Sequence, residues 1–151
     1  MSIENAIKTT KKLSLTEKTV INMLYTSRFI ENTIASARDS GITMPQYNVL
    51  RILRGQKGQP ANLSTIQERM IDKSSNTTRL VDKLIKKELA QRQTCPTNRR
   101  KVEITITTQG LQLLEEMDPA IKQANKEILK NLNDTELQTL NTLLDKLRND
   151  E

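Results

Sequence analysis

Between Leu80 and Ile106 the hydrophobic period changes, and that change constrains the fold more than any other feature of the chain. Leu80, Val81, Leu84, Ile85 and Leu89 recur at three- and four-residue intervals, the spacing that places side chains on one face of a helix. Gln91 to Cys95 and Lys101 to Thr107 alternate instead and are rich in Thr, Val and Ile. Val102, Ile104 and Ile106 then share a face, which predicts two strands of a hairpin. The turn is predicted over Pro96-Thr97-Asn98-Arg99-Arg100. A hairpin directly after a helix, itself preceded by a short turn and another helix, is the pattern of a wing.

The flanking sequence is helical. Leu15, Val20, Leu24, Ile30, Ile34 and Ala37 predict a long helix from Ser14 to Arg38, stopped by Gly41. Residues 1–13 are polar and read as a flexible arm. Pro45 suits the first turn of the next helix, where its missing N–H costs little. That helix carries Tyr47, Val49, Leu50, Ile52 and Leu53 and ends in the loop Gly55 to Pro60. A short helix over Leu63 to Met70, with Ser64 as its start signal, is joined by Ile71-Asp72-Lys73 to a helix over Ser74 to Leu89, as in a helix-turn-helix. After the hairpin, Thr107 or Thr108 caps a helix running to Leu132 and bent by Pro119. Asn133 to Glu136 forms a capping box for a last helix marked by Leu137, Leu140, Leu144 and Leu147. The expected fold is mainly α with a small β-hairpin wing: a winged helix-turn-helix over 45–107, with dimerisation helices at 14–40 and 108–150.

The 151 residues suffice for one domain. Apolar content is only 35%, low enough to suggest an elongated helical chain or a core completed by a partner. With no histidine and one cysteine, Cys95, zinc sites and histidine-dependent catalysis are nearly excluded, and no cofactor is expected. Glu115-Glu116 is the one notable carboxylate pair. Adjacent residues on a helix point about 100° apart, so the pair reads as surface and the chain as no enzyme. Tyr25, Phe29 and Tyr47 are the only aromatics, a poor supply of stacking platforms for single strands. No leader or membrane span is evident, and a cytoplasmic location is expected.

Charge is unevenly placed. The chain carries a formal +6, yet Arg54 to Lys101 holds twelve Lys/Arg against four Asp/Glu, or +8. The remainder is therefore −2. A positive field confined to one third of the chain suits a phosphate-backbone binder. On the Ser74–Leu89 helix the direction opposite the apolar stripe falls near Ser75, Arg79, Asp82 and Lys86, with Asn76, Thr78 and Lys83 flanking. Short polar side chains at its start let the backbone sink into a major groove, and Arg79 is long enough to grip a guanine edge. Asp82 fits poorly there and is expected to pair with Lys86, four residues on. Arg99 and Arg100 at the hairpin tip are either solvated or bound in a narrow minor groove, which attracts guanidinium groups.

Met70 through Leu84 (MIDKSSNTTRLVDKL) resembles the recognition-helix segment of the MarR (multiple antibiotic resistance regulator) family. Asn98-Arg99-Arg100, five residues, then Ile106-Thr107-Thr108-Gln109-Gly110 is similar to that family's wing signature, D-x-R, five residues, L/I-T-x-x-G. Pro45 to Leu50 resembles its second helix. The likeness runs from about Leu15 to the C-terminus. It implies a homodimer of winged-helix subunits with interlocked terminal helices, acting as a ligand-responsive repressor on a pseudo-palindromic double-stranded DNA operator. It places Arg100 in the minor groove, within a DNA-binding set of Ser74, Ser75, Asn76, Thr78, Arg79, Lys83, Arg99, Arg100 and Lys101. One departure stands out: the family's wing aspartate is Asn98 here, an amide that hydrogen-bonds more weakly than a carboxylate. Some MarR-type proteins respond to phenolic small molecules near the dimer helices and others to cysteine oxidation. Cys95, with no second cysteine to resolve a sulfenic acid, reads as a strand residue.

A different class of answer keeps the wing merely structural and lets the basic face bind an acidic protein. A double-stranded RNA partner is disfavoured because an A-form major groove does not admit the helix. Salt separates these readings. For on the order of 6–10 phosphate contacts per dimer, affinity for duplex DNA should fall about 10³–10⁵-fold between 50 and 200 mM salt. A nearly flat salt dependence would contradict the basic-patch argument.

Overall fold

The computed structural model describes residues 1–37 and 40–149. Its elements in chain order are α1 (Ile3–Ala6), α2 (Leu15–Ser36), α3 (Met44–Gly55), α4 (Leu63–Arg69), α5 (Thr77–Lys86), β1 (Ala90–Cys95), β2 (Asn98–Ile106), α6 (Thr108–Leu129) and α7 (Asp134–Arg148). They fall into two compact units, 40–121 and 1–37 with 122–149, the boundary lying within α6.

The unit 40–121 holds most of the buried apolar side chains. Val49, Leu50 and Leu53 of α3, Ile66 of α4, Val81 and Leu84 of α5, Ile104 of β2 and Leu114 of α6 are each at most 2% exposed. Burial of such side chains is worth roughly 1.5–3 kcal/mol apiece. Local signals set the helix starts. Thr43 caps α3 in a capping box with Gln46, and Pro45 occupies its first turn. Asn62 caps α4 and Asn76 caps α5, each accepting a hydrogen bond from the backbone N–H three residues on. The hairpin is antiparallel, Ala90 opposite Ile106 and Arg92 opposite Ile104. Ile104 also exchanges two backbone hydrogen bonds with Ala61, at 2.9 and 2.8 Å, which ties the hairpin to the segment entering α4. Arg54 of α3 donates to both carboxylate oxygens of Asp118 on α6, at 2.8 and 3.4 Å.

In the other unit, α1 packs on α2, Ile3 is buried and Lys18 pairs with Glu4 at 2.8 Å. That pairing, first through the Lys18 hydrogen bond, holds the Glu4 carboxyl below its ordinary range. Neither α2 nor α7 has a buried residue. Asn133 and Glu136 form the expected capping box of α7.

Several elements differ from expectation. The segment 1–13, read as a flexible arm, contains α1, which Ser2 caps. The first long helix runs Leu15–Ser36, capped by Ser14 in a box with Glu17, and the expected end at Arg38 lies outside the described residues, as does Asp150 of the terminal segment. Asn62, not Ser64, starts α4. Standing three residues before Thr65, Asn62 Oδ1 accepts the Thr65 N–H, while the Ser64 hydroxyl donates to that same oxygen. The helix expected over Ser74–Leu89 is Thr77–Lys86. Asp72 captures Ser74 into a turn before it, and Glu88 at φ 60° ends it in the left-handed region. The turn is the two residues Pro96 and Thr97, so Asn98, Arg99 and Arg100 lie on β2. α6, one helix with Pro119 inside it as expected, stops at Leu129 rather than Leu132.

Gly110 shows how tightly α6 meets the hairpin base. A Cβ there would lie 2.2 Å from the Leu89 carbonyl oxygen and 2.7 Å from Ile106 Cγ1. Gly110→Ala should lower stability by about 1–3 kcal/mol, the usual cost of forcing atoms into a packed site. Gly55→Ala, with nothing within 4 Å, should be neutral or stabilising by a few tenths to about 1 kcal/mol. Urea unfolding of the two variants checks the contrast, and equal effects would refute the close approach.

Candidate nucleic-acid interface

A side-chain network fixes the turn between α4 and α5. Asn48 of α3 accepts a hydrogen bond from the Ile71 N–H at 2.8 Å. Gln67 of α4 donates to the Lys73 carbonyl at 2.9 Å and accepts from the buried Thr77 hydroxyl. Lys73 reaches back to the Glu68 carbonyl. Asp72 accepts from both the hydroxyl and the backbone N–H of Ser74, at 2.6 and 2.9 Å. Those two bonds, the hydroxyl first, hold the Asp72 carboxyl below its ordinary range, so it stays charged and acceptor-only near neutral pH. Of these residues, Asn48, Gln67 and Thr77 escaped sequence reasoning. Their partners are local turns and neighbouring helices, which no periodicity reveals.

From that turn α5 presents one exposed stripe: Thr78 and Arg79, then Asp82 and Lys83, then Lys86. Its first turn has no acidic residue, and Lys83 and Lys86 sit in its last turn. The candidate residues therefore divide by role. Thr78, Arg79 and Lys83 are exposed on the helix itself. Ser74 and Asn76 are exposed but already engaged, Ser74 with Asp72 and Asn76 Oδ1 with the Arg79 N–H at 3.0 Å. Ser75 is half-buried ahead of the helix rather than on its outer face.

Arg99, Arg100 and Lys101 are brought together by an irregularity in the hairpin. Thr94 pairs with Val102, yet the next residue, Cys95, pairs with Asn98, so the three basic residues have no opposite number on β1. An unpaired insertion of this kind bends a strand and re-aims its side chains. Asn98 Oδ1 accepts the Arg100 backbone N–H at 3.1 Å. An amide oxygen thus supplies an acceptor that shapes the loop, which requires no carboxylate charge.

Asp82 does not pair with Lys86 as expected. Its Oδ1 accepts from Nη2 of Arg92 on β1 at 2.8 Å. Arg92 stands opposite Ile104, so its stem leaves the hairpin on the core side, toward α5. The pair neutralises the one carboxylate in the α5 stripe and leaves Lys86 exposed. Cys95, half-buried at the end of β1, has its Sγ 3.2 Å from Thr97 Oγ1. Among the described residues no group of His, Cys, Asp or Glu is placed to hold a metal ion, and no helix is long and apolar enough to cross a membrane.

Residues 42–102, which contain the helix-turn-helix and most of the hairpin, match the MarR family. Among solved structures, the chain is 26% identical to Bordetella bronchiseptica BpsR, whose DNA binding is regulated by 6-hydroxynicotinic acid. That match covers 88% of this chain and 100% of the other at a TM-score of 0.76. It is 28% identical to a MarR transcription factor from Planctomyces limnophilus, over 89% and 98% of the two chains at a TM-score of 0.68. The PcaV regulator of Streptomyces coelicolor, 20% identical over 91% and 96% with a TM-score of 0.79, shares the fold.

The division of roles is testable. Asn76→Ala removes the α5 cap and should cost about 1 kcal/mol of stability. Arg79→Ala, whose side chain is exposed, should leave stability within about 0.5 kcal/mol. Thermal unfolding that ranks the two the other way would reverse the assignment of Asn76 as structural and Arg79 as free to bind.

Proposed function

We propose that this chain, a MarR-family transcriptional regulator by its domain at residues 42–102, represses transcription as a homodimer on a pseudo-palindromic duplex DNA site. Proteins of this family are regulators of transcription and not enzymes. The observation that carries the reading is the pairing of two basic elements in one unit: the exposed α5 stripe with Thr78, Arg79 and Lys83, and the unpaired Arg99-Arg100-Lys101 segment of the wing. α5 enters the major groove, where a guanidinium distinguishes base pairs, and Arg100 reads the width and potential of the minor groove. Ser74, Ser75 and Asn76 shape the turn that delivers α5.

The homodimer is supported by the apolar side chains that α2 and α7 leave in solvent. Leu15, Leu24 and Phe29 on α2 and Leu143 and Leu147 on α7 are each at least half exposed. Stripes of this kind on long helices mark surfaces covered in an assembly. A small-molecule effector is supported by the relation to BpsR, which has one. The cytoplasm is the compartment where such a regulator meets DNA.

Selection from random duplex DNA should return a pseudo-palindrome with half-site centres about one helical turn, roughly 10 bp, apart. On the selected site, Arg79→Ala should relax preference at one or two positions per half-site. Arg100→Ala should weaken binding mainly where flanks are A/T-rich. A loss of about 1 kcal/mol per arginine becomes about 2 kcal/mol in a dimer, some thirtyfold. Lys126→Ala, outside the basic third, is the control and should change little. If both arginine variants bind as well as the parent, the helix-and-wing assignment is wrong.

A further inference from the structure

The Asp82–Arg92 contact joins the two elements that the proposed function assigns to different grooves. Asp82 lies in the middle of the exposed α5 stripe, between Arg79 and Lys86, where a carboxylate repels phosphate. Arg92 lies three residues inside the end of β1. Beyond it the hairpin holds itself: Gln93 donates to Glu103, Cys95 contacts Thr97, and Asn98 accepts from Arg100, all within β1, β2 and the turn that joins them. Arg92 Nη2 to Asp82 Oδ1, at 2.8 Å, is thus the outermost side-chain tie from wing to helix among the described residues. The side chains are 38% and 51% exposed, and pairs so exposed add little to folding stability. What such a pair controls is geometry: where the wing tip sits relative to the helix.

Resting on the regulator reading above, we propose that Asp82 and Arg92 act as a positioning pair. They set the spacing between the α5 side chains and the Arg99-Arg100-Lys101 tip, so that both grooves are engaged at once. Neither residue needs to touch DNA. The pair also makes Asp82 favourable for specific binding although its charge is of the wrong sign for DNA.

Charge alone and positioning predict opposite signs for one substitution. Asp82→Asn makes the protein more positive, so electrostatics by itself would tighten binding to every duplex. Arg92→Gln makes it more negative and would weaken binding to every duplex. If the pair positions the wing, both should lose about fivefold to twentyfold in the ratio of affinities for the duplex recovered by selection over an unrelated mixed-sequence duplex. The double variant should lose no more than either single one, since the contact can be lost only once. Arg92→Lys, which keeps a cation within reach, should retain most of the ratio. Simple destabilisation lowers the active fraction equally on both duplexes and leaves the ratio unmoved. The proposal is overturned if Asp82→Asn keeps or raises the ratio, or if the two single losses multiply in the double variant. Should the parent protein itself fail to bind duplex DNA, the regulator reading falls first and this one with it.

Discussion

Ile104 is the point on which the rest of the 40–121 unit depends. Its side chain is fully buried, its backbone exchanges both hydrogen bonds with Ala61, and across the hairpin it faces Arg92. A two-stranded ribbon is marginal in water by itself. Here the buried Ile104 anchors it to the helical core, and the Ala61 bridge anchors it to the entrance of α4. Everything farther out on the wing inherits its position from that base, with Gly110 allowing α6 to close against the Leu89 carbonyl on the other flank.

The polar groups then decide what the anchored elements present. Asn48, Gln67 and Asp72 bond the Ile71 N–H, the Lys73 carbonyl and the Ser74 N–H, which holds the turn before α5. The arginines and lysines of the stripe and wing tip remain exposed. Asp82 shows how context changes a charge: amid the exposed lysines and arginine of α5 it is the one carboxylate, and Arg92 of the hairpin pairs with it at 2.8 Å. Asn98 makes the related point, because the oxygen that shapes the wing tip serves as a hydrogen-bond acceptor, a part that an amide can fill, more weakly than a carboxylate.

The two units differ in what they bury. Around α3, α4, α5 and β2 the apolar stripes meet one another and close a core. α2 and α7 also carry apolar side chains but have no buried residue. Low apolar content overall therefore reflects one unit with a core and another whose helices keep apolar faces in solvent, the arrangement expected when a second subunit completes the packing.

The elements other than α1 were legible in the amino-acid sequence, because each rests on local physics. The periods of Leu80–Leu89 and Val102–Ile106 and the Asn133–Glu136 box act over a few residues, the basic middle third is read by counting charge along the chain, and the resemblance of Met70–Leu84 and Asn98–Gly110 to MarR proteins needs only those segments. Tertiary structure decided what depends on partners distant in the chain. Asp82 chose Arg92 over Lys86 because a strand lies beside the helix, which a helical wheel cannot represent. The α5 helix lost Ser74 and Ser75 because Asp72 captures Ser74 in a turn that competes with helix. Arg99 and Arg100 moved from an expected turn into an unpaired stretch of strand, beside Lys101, because Cys95 pairs with Asn98, a register set by the two-residue turn and not by alternation. Local propensity determines which residues form an element; which side chains meet depends on how the elements pack, and that is where the site acquires its geometry.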